Sequence, residues 1–362
     1  FVGPWQVPVA DCAVTLMGFD TLRGEAMAMG ERAPLALIDA PASGRMAVGE
    51  AITNIAAADI AAIGEIKLSA NWMAAAGYPG EDARLYETVK AVGMELCPAL
   101  GISIPVGKDS LSMKTVWSEG PISKEVVAPV SLIISAFAPV IDAGATLTPE
   151  LNRSAPAADT ELLLIDLGHG RNRLGGSALA QVYGQVGNIV PDVDDAAALR
   201  KFFAVVRELA GSGRILAYHD RSDGGLFACL CEMAFAGGMG LDVDLASLPG
   251  GALAKLFNEE LGAVLQILRA DLEAVRAAFA AEGLAEALRA IGHPTRLDHI
   301  SIRDGERTLV ESERSALRRD WSETTWRMQR LRDDPDCADE ERFAILDRKG
   351  PLTVGYGSPG RT

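Results

Sequence analysis

The chain has 362 residues, of which 49% are hydrophobic and 23% charged, and its formal net charge is −15. This length predicts two domains of ordinary size, each large enough to bury a core of its own. The negative charge argues against nucleic acid or an anionic membrane as a partner, because both require a basic surface. The longest alanine-rich run, residues 56–62, is too short to cross a bilayer.

The cysteines predict a reducing, cytoplasmic environment. Their number is odd, and none of their spacings is typical of a metal site. The five are Cys12, Cys97, Cys229, Cys231 and Cys337.

The first elements surround an isolated acid. Residues 9–16 alternate with β-branched side chains and predict a strand that carries Asp11, for which a turn at the strand edge is the alternative explanation. Residues 23–30 are rich in methionine and alanine and predict a loop or a short helix. Residues 35–38 predict a further strand.

Residues 45–54 predict a helix with a polar pair on one face. Glu50 and Asn54 stand four residues apart, so their side chains meet on that face. Both carry oxygen atoms, the ligands that a hard cation such as Mg²⁺ takes. The alternative is a solvated face on which Glu50 and Asn54 share a hydrogen bond.

The next segment ends in a predicted loop at Gly107–Ser110. Residues 66–73 predict a strand, residues 82–97 an amphipathic helix and residues 102–106 a strand that leads into this loop. The loop is not a Walker site. Five residues rather than four separate Gly101 from the pair Gly107-Lys108, and Asp109 rather than serine or threonine follows Lys108. It still offers backbone amides to a phosphate.

A second domain is predicted after a boundary at residues 141–159. Before the boundary, residues 126–137 predict one long strand. After it, a strand at 161–167 leads into Gly168-His169-Gly170, where Arg173 occupies the place of the third glycine of a dinucleotide motif. The sequence therefore does not predict a dinucleotide site there.

Residues 214–225 combine a short strand, an acidic turn and two glycines ahead of a predicted helix. Such a turn can place backbone amides against phosphate while Asp220 holds a metal. The structural alternative is an N-cap at Asp223 with glycines for close packing. That alternative explains Asp223 well and Asp220 poorly.

Several segments together identify a family. VGPWQVPVADCAVT (2–15), RMAVGEAITN (45–54), KLSANWM (67–73), PVGKDSLSMK (105–114) and YHDRSDGG (218–225) resemble phosphoribosylformylglycinamidine synthase of the large single-chain bacterial type. The resemblance runs from Phe1 to about Ala338 and covers the second of two homologous synthetase halves. The first half and the C-terminal glutaminase domain of that family lie outside this sequence.

The resemblance implies a set of site residues and cofactors. The family's Mg²⁺ ligands match Asp11, Glu50, Asn54 and Asp220, and its contacts with ATP or ADP match Ala10 and Ser222. The segment with Gly107, Lys108 and Ser110 is expected to reach the phosphate of the ribonucleotide substrate in the first half. No catalytic residue is expected in this half, and His219 is expected to orient the Asp220 loop.

The resemblance also implies an α+β fold with two domains like those of AIR synthetase. Residues 1–145 would form half of a β-barrel and residues 146–312 a mixed α/β domain, followed at 313–362 by a linker helix and a disordered tail. The expected activity is the ATP- and glutamine-dependent conversion of formylglycinamide ribonucleotide to the amidine, together with the missing half and glutaminase. Two alternatives remain: a non-catalytic scaffold that holds ADP–Mg²⁺, and another member of the AIR synthetase superfamily, which the GKDSLSM and HDRSDGG segments disfavour.

Overall fold

The computed structural model describes residues 1–346. The predicted disordered tail lies mostly outside this range, but its first residues, up to Ala344, belong to a helix. Among the described residues, no helix combines the length and apolar character needed to cross a membrane.

The N-terminal part is built on a five-stranded sheet. Its strands lie in the order β1-β2-β7-β3-β4, antiparallel except for the parallel pair β3–β4. A separate hairpin, β5–β6, projects from it. The elements are β1 (Ala13–Leu16), β2 (Gly24–Glu31), α1 (Ala40–Ile55), β3 (Lys67–Met73), α2 (Glu81–Lys90), α3 (Cys97–Leu100), β4 (Ser103–Ser110), β5 (Lys114–Glu119), β6 (Ile122–Val127) and β7 (Ser131–Val140).

The C-terminal part is built on a seven-stranded mixed sheet. Its strands follow the order β14-β13-β10-β12-β8-β11-β9, and β9, at one edge, ends in Asp220. The elements are β8 (Thr160–Asp166), α4 (Ala178–Val182), α5 (Ala196–Gly211), β9 (Ala217–Asp220), α6 (Gly225–Gly237), β10 (Gly240–Asp244), α7 (Ala252–Phe257), β11 (Gly262–Leu268), α8 (Leu272–Ala281), β12 (Leu288–Thr295), β13 (Ile300–Asp304), β14 (Arg307–Ser312), α9 (Arg314–Arg332) and α10 (Pro335–Ala344).

This architecture is the α+β fold with two AIR-synthase-like domains that the sequence predicts. One continuous core joins the two sheets: α1 packs on the five-stranded sheet, while α5 and α8 cover one face of the seven-stranded sheet. A second core lies on the other face of that sheet, around α6. The boundary at residue 145 stays a prediction; the first sheet ends at Val140 and the second begins at Thr160.

Five local predictions are wrong. The strand predicted to carry Asp11 begins only at Ala13, after that residue. Residues 24–31 form β2 rather than a loop or helix, and residues 33–37 form a 3₁₀ helix rather than a strand. The predicted long strand at 126–137 is two strands, β6 and β7, because Pro129 lacks the amide hydrogen that a continuous strand would donate there. The predicted loop at Gly107–Ser110 is the end of β4, paired with β3.

One face of the five-stranded sheet is left open. In β2 the small residues Ala26 and Ala28 point inward, while Met27 and Met29 are exposed, and Phe137 on β7 is exposed directly opposite Met27. An exposed apolar face of this kind is typical of an interaction surface.

Candidate functional site

The fold brings Asp11 and Asp220 together from remote parts of the chain. Asp11 lies just before β1, and Asp220 is the last residue of β9. The backbone amide of Asp220 donates a hydrogen bond to Asp11 Oδ1 at 2.9 Å. Asp11 is 8% exposed and Asp220 3%. Two carboxylates are therefore buried side by side where the N-terminal segment meets the edge of the second sheet.

His219 connects Asp11 to a carboxylate that the sequence analysis did not single out. Its Nδ1 lies 2.8 Å from Asp11 Oδ1, and its Nε2 lies 2.9 Å from Glu232 Oε2 on α6. Burial lowers the pKa of the His219 imidazole, but the attraction of Asp11 and Glu232 outweighs burial and raises that pKa well above its ordinary value. His219 thus bridges the two acids through its two ring nitrogens and fixes the orientation of Asp11.

The second oxygen of Asp11 has no hydrogen-bond partner. Asp11 Oδ2 is buried, and no donor in residues 1–346 reaches it. The ligand atoms of Asp11, His219 and Asp220 all lie within 4.8 Å of one another. Burial, followed by the charge of Asp11, raises the pKa of Asp220 well above its ordinary value. A buried, unpartnered oxygen beside a second carboxylate fits a hard divalent cation, which would relieve both the desolvation and the repulsion.

Helix α1 lines the same region. Thr53 Oγ1 lies 3.3 Å from Asp220 Oδ2, which joins the helix to β9. Glu50 is buried, and its Oε2 accepts a hydrogen bond from the amide of Glu31 at 2.7 Å. Asn54 donates from Nδ2 to the carbonyl of Met29 at 3.0 Å. Glu50 and Asn54 are thus tied to β2, and Glu50 is not a member of the close group of Asp11, His219 and Asp220.

An arginine that the sequence analysis missed lies next to Glu50. Arg32 is 1% exposed, and its Nη1 binds Asp223 Oδ1 at 2.9 Å and Glu259 Oε2 at 3.0 Å. Its Nε lies 3.6 Å from Glu50 Oε1. Glu259, in the segment LFNEELG (256–262), also accepts a hydrogen bond from the amide of Gly224. Arg32 therefore compensates Asp223 and Glu259 through hydrogen bonds, whereas it does not hydrogen-bond Glu50.

The turn after β9 approaches its neighbours closely. Gly225 has φ of +66°, and a Cβ there would lie 2.6 Å from the carbonyl oxygen of Asn258. Ser222 accepts a hydrogen bond from the amide of Gly225 through its carbonyl at 2.9 Å. Helix α6 begins at Gly225, so the amides of its first turn follow the end of β9 by five residues.

The remaining predicted residues fall into two places. Ala10 is exposed and directly precedes Asp11. Gly107, Lys108 and Ser110 lie on the edge strand β4, where Lys108 Nζ binds Ser110 Oγ at 2.7 Å. No hydrogen bond or salt bridge within the described chain joins these β4 residues to the acids.

Comparison with known proteins places two related domains in succession along the chain. The model of the FGAR-AT PurM_N-like domain matches residues 1–139, and that of the AIR synthase related protein, C-terminal domain, matches residues 160–305. Together they cover nearly all of the five-stranded sheet, the seven-stranded sheet except β14, and every acid described above.

Solved structures share the fold at low sequence identity. PurL from Thermotoga maritima complexed with FGAR matches at a TM-score of 0.66 and 13% identity, covering 85% of this chain and 48% of PurL. The same protein complexed with ADP matches at a TM-score of 0.64 and 11% identity, covering 86% of this chain and 47% of PurL. HypE from E. coli, a hydrogenase maturation protein, matches at a TM-score of 0.55 and 18% identity, covering 80% of this chain and 84% of HypE. The chain thus spans about half the length of the PurL structures.

Proposed function

We propose that this chain, which belongs to the AIR synthase-related proteins, binds an adenine nucleotide through Mg²⁺ at the cluster of Asp11 and Asp220. The observation that carries this assignment is the buried, unpartnered Oδ2 of Asp11. The complexes of PurL with ATP and with ADP support a nucleotide as the ligand.

The residues around the cluster would bind different parts of the metal–nucleotide complex. Asp11 and Asp220 would hold the cation, with Glu50 and Asn54 contributing from α1. The cation would neutralise phosphate charge that the acids would otherwise repel. The amides at the start of α6 face the same region and suit a phosphate oxygen, while Ala10 and Ser222 stand beside them for the rest of the nucleotide.

We further propose that the chain is the second half of a phosphoribosylformylglycinamidine synthase. The coverage of about half of PurL supports this, as does the open apolar face of the five-stranded sheet. In the complete enzyme, the missing half would supply the catalytic site and a glutaminase would supply ammonia. The nucleotide held here would be structural, and β4, with Gly107, Lys108 and Ser110, would contact the phosphate of the ribonucleotide substrate across the interface.

HypE supports a second candidate, an AIR synthase-related protein that acts on a different substrate. This chain covers 84% of the HypE chain, against about half of PurL. A homodimer closed through the open sheet face would distinguish this candidate, whereas the synthase half would pair with a different, homologous half.

Calorimetry with ADP tests nucleotide binding directly. We expect one ADP per chain in the presence of millimolar Mg²⁺, loss of the heat signal with EDTA, and a higher thermal midpoint with the ligand. Neither heat nor a thermal shift with Mg²⁺ present would contradict the assignment. Incubation with ATP, glutamine and FGAR should yield no amidine and no glutamate from this chain alone.

Two variants separate the roles of α1 and β4. In the complete enzyme, Glu50→Gln should lower the ADP content after purification, because the cation loses a charged ligand. Lys108→Met should leave that content unchanged and raise the KM for the phosphorylated substrate. The opposite outcome, with ADP lost in Lys108→Met and kept in Glu50→Gln, would reverse the assignment of the two elements.

A further inference from the structure

His219 lies close enough to Asp11 and Asp220 to be a third ligand, because the ligand atoms of the three residues are within 4.8 Å of one another. Both nitrogens of its ring already have partners, however. Nδ1 lies 2.8 Å from Asp11 Oδ1, and Nε2 lies 2.9 Å from Glu232 Oε2. A hard cation would therefore bind the oxygens of Asp11 and Asp220, and the imidazole would stay outside its ligands.

The two oxygens of Asp11 have different surroundings. Oδ1 accepts a hydrogen bond from the amide of Asp220 at 2.9 Å and also contacts His219, whereas Oδ2 has no partner within residues 1–346. Contacts from two groups restrict the rotation of the carboxylate about its bond to Cβ. His219 therefore helps to determine which oxygen of Asp11 is left for a cation, and its own orientation matters to the site.

Glu232 holds the other edge of the His219 ring. It belongs to α6, and its side chain is 22% exposed. No arginine or lysine of the described chain forms a salt bridge with Glu232, so no other charged partner competes with His219 for Oε2. The second oxygen, Oε1, accepts a hydrogen bond from Trp321 Nε1 on α9 at 3.0 Å. The two oxygens of Glu232 thus have separate partners, one next to the acid cluster and one on α9.

We propose that Glu232 is a positioning residue for the cation site. Through His219 it holds Oδ1 of Asp11 and so keeps Oδ2 as the oxygen that binds the ion. Carboxylates that orient a neighbouring group in this way change metal affinity without touching the metal. The inference rests on the proposed Mg²⁺ site at Asp11 and Asp220, and it adds that the affinity of this site depends on a residue of α6 that does not bind the ion.

Two substitutions of Glu232 test this role through the dissociation constant of Mn²⁺, measured by electron paramagnetic resonance with ADP present. Glu232→Leu keeps a side chain of similar size but leaves Nε2 of His219 without an acceptor. We expect it to bind Mn²⁺ about tenfold more weakly, at the lower end of the effect that groups behind a metal ligand have. Glu232→Gln keeps an acceptor oxygen for Nε2, so its affinity should return nearly to that of the unchanged chain.

Trp321→Phe is the matched control, because it removes the other hydrogen bond of the same carboxylate and leaves the contact with His219. Its affinity for Mn²⁺ should equal that of the unchanged chain. The thermal midpoints of all three variants separate positioning from general stability. If Glu232 only stabilised the fold, the affinity for Mn²⁺ would follow the thermal midpoint across the variants, and that result would overturn the proposal.

Pulsed electron paramagnetic resonance of the chain with heavy-nitrogen histidine tests the place of His219 itself. We expect no hyperfine coupling of the size that a ring nitrogen bound directly to Mn²⁺ produces, and such a coupling would overturn the proposal. So would equal affinities in Glu232→Leu and the unchanged chain, or equal losses in Glu232→Leu and Glu232→Gln, while the cation site of Asp11 and Asp220 would stand. Absence of Mn²⁺ binding by the unchanged chain would instead contradict the proposed function, and this inference with it.

Discussion

Two groups of acids lie where the domains join, and they are neutralised in different ways. Around Arg32, the carboxylates of Glu259 and Asp223 lie within 3.0 Å of the guanidinium. No arginine or lysine of residues 1–346 forms a salt bridge with Asp11 or Asp220. Of these two acids, His219 binds Asp11 and not Asp220. In the first group the acids already have a cation at hydrogen-bonding distance, although Arg32 Nε has no hydrogen-bond partner within residues 1–346, whereas in the second group a carboxylate oxygen, Asp11 Oδ2, is left for one more cation.

This difference separates structural charge from binding charge. A buried arginine with several carboxylates stabilises one arrangement of the chain, and its removal leaves acids buried without a counter-charge. A buried carboxylate with an unpartnered oxygen costs free energy until a ligand satisfies it. The two groups therefore respond to substitution in opposite ways.

Arg32→Met should have the largest effect. The change leaves Glu259 buried without its cation and should lower the free energy of unfolding by about 3–5 kcal/mol. Urea denaturation measures it, with Arg307→Met as the control. Adding Glu259→Gln to Arg32→Met should recover part of the loss; a double variant no more stable than the single one would show that the lost packing of Arg32, rather than its charge, is responsible.

Arg221 and Asp166 form another buried ion pair, at 2.6 Å. This pair predicts a dependence of stability on pH. Burial raises the pKa of Asp166, but the charge of Arg221 and hydrogen bonds from Arg221, Gly170 and Gly168 outweigh burial, so the pKa lies below its ordinary value of 3.8. A lowered pKa in the folded state adds stability above the unfolded value, and this stability is lost as the pH falls through the folded value.

Asp166→Asn should therefore lower the free energy of unfolding by about 1–3 kcal/mol at neutral pH. The loss is no larger because Arg221 keeps its hydrogen bonds to the carbonyls of Glu260 and Leu261. The cost should shrink as the pH is lowered below 3.8. Denaturation curves at neutral and acid pH compare the two chains, and an equal cost at both pH values would contradict the role given to this ion pair.

Trp321→Phe should have the smallest effect. Trp321 on α9 donates from Nε1 to Glu232 Oε1 at 3.0 Å, and Glu232 in turn binds His219. Phenylalanine keeps the edge contact with Phe235 but loses the hydrogen bond, about 1 kcal/mol. The thermal midpoint should fall slightly while the affinity for ADP and Mg²⁺ stays the same. A large loss of affinity would show that α9 supports the Asp11 side of the site.

The sequence predicted the fold class largely through the family resemblance, and local patterns failed where small residues replaced the usual core side chains. Strand β2 is the clearest case. Alanines face inward and methionines face solvent, the reverse of the usual alternation, so its pattern did not predict a strand. Gly30 is needed there because a Cβ would lie 2.0 Å from the carbonyl oxygen of Ala47 on α1.

The two charged groups differed in how far the sequence could predict them. Asp11 and Asp220 stand in segments that resemble the family, so the resemblance predicted that they meet. Arg32 lies in no such segment, and its partners Asp223 and Glu259 are 191 and 227 residues away. Neither helical nor strand periodicity carries information over that distance.

The electron paramagnetic resonance of Mn²⁺, used in place of Mg²⁺ with ADP, tests the central distinction most directly. Asp11→Asn and Asp223→Asn each remove one negative charge, from the incomplete and from the compensated group respectively. We expect Asp11→Asn to release the bound Mn²⁺ at concentrations at which the unchanged chain and Asp223→Asn hold one ion each. Retention of Mn²⁺ by Asp11→Asn, or its loss from Asp223→Asn alone, would contradict the assignment of the cation to the Asp11 side.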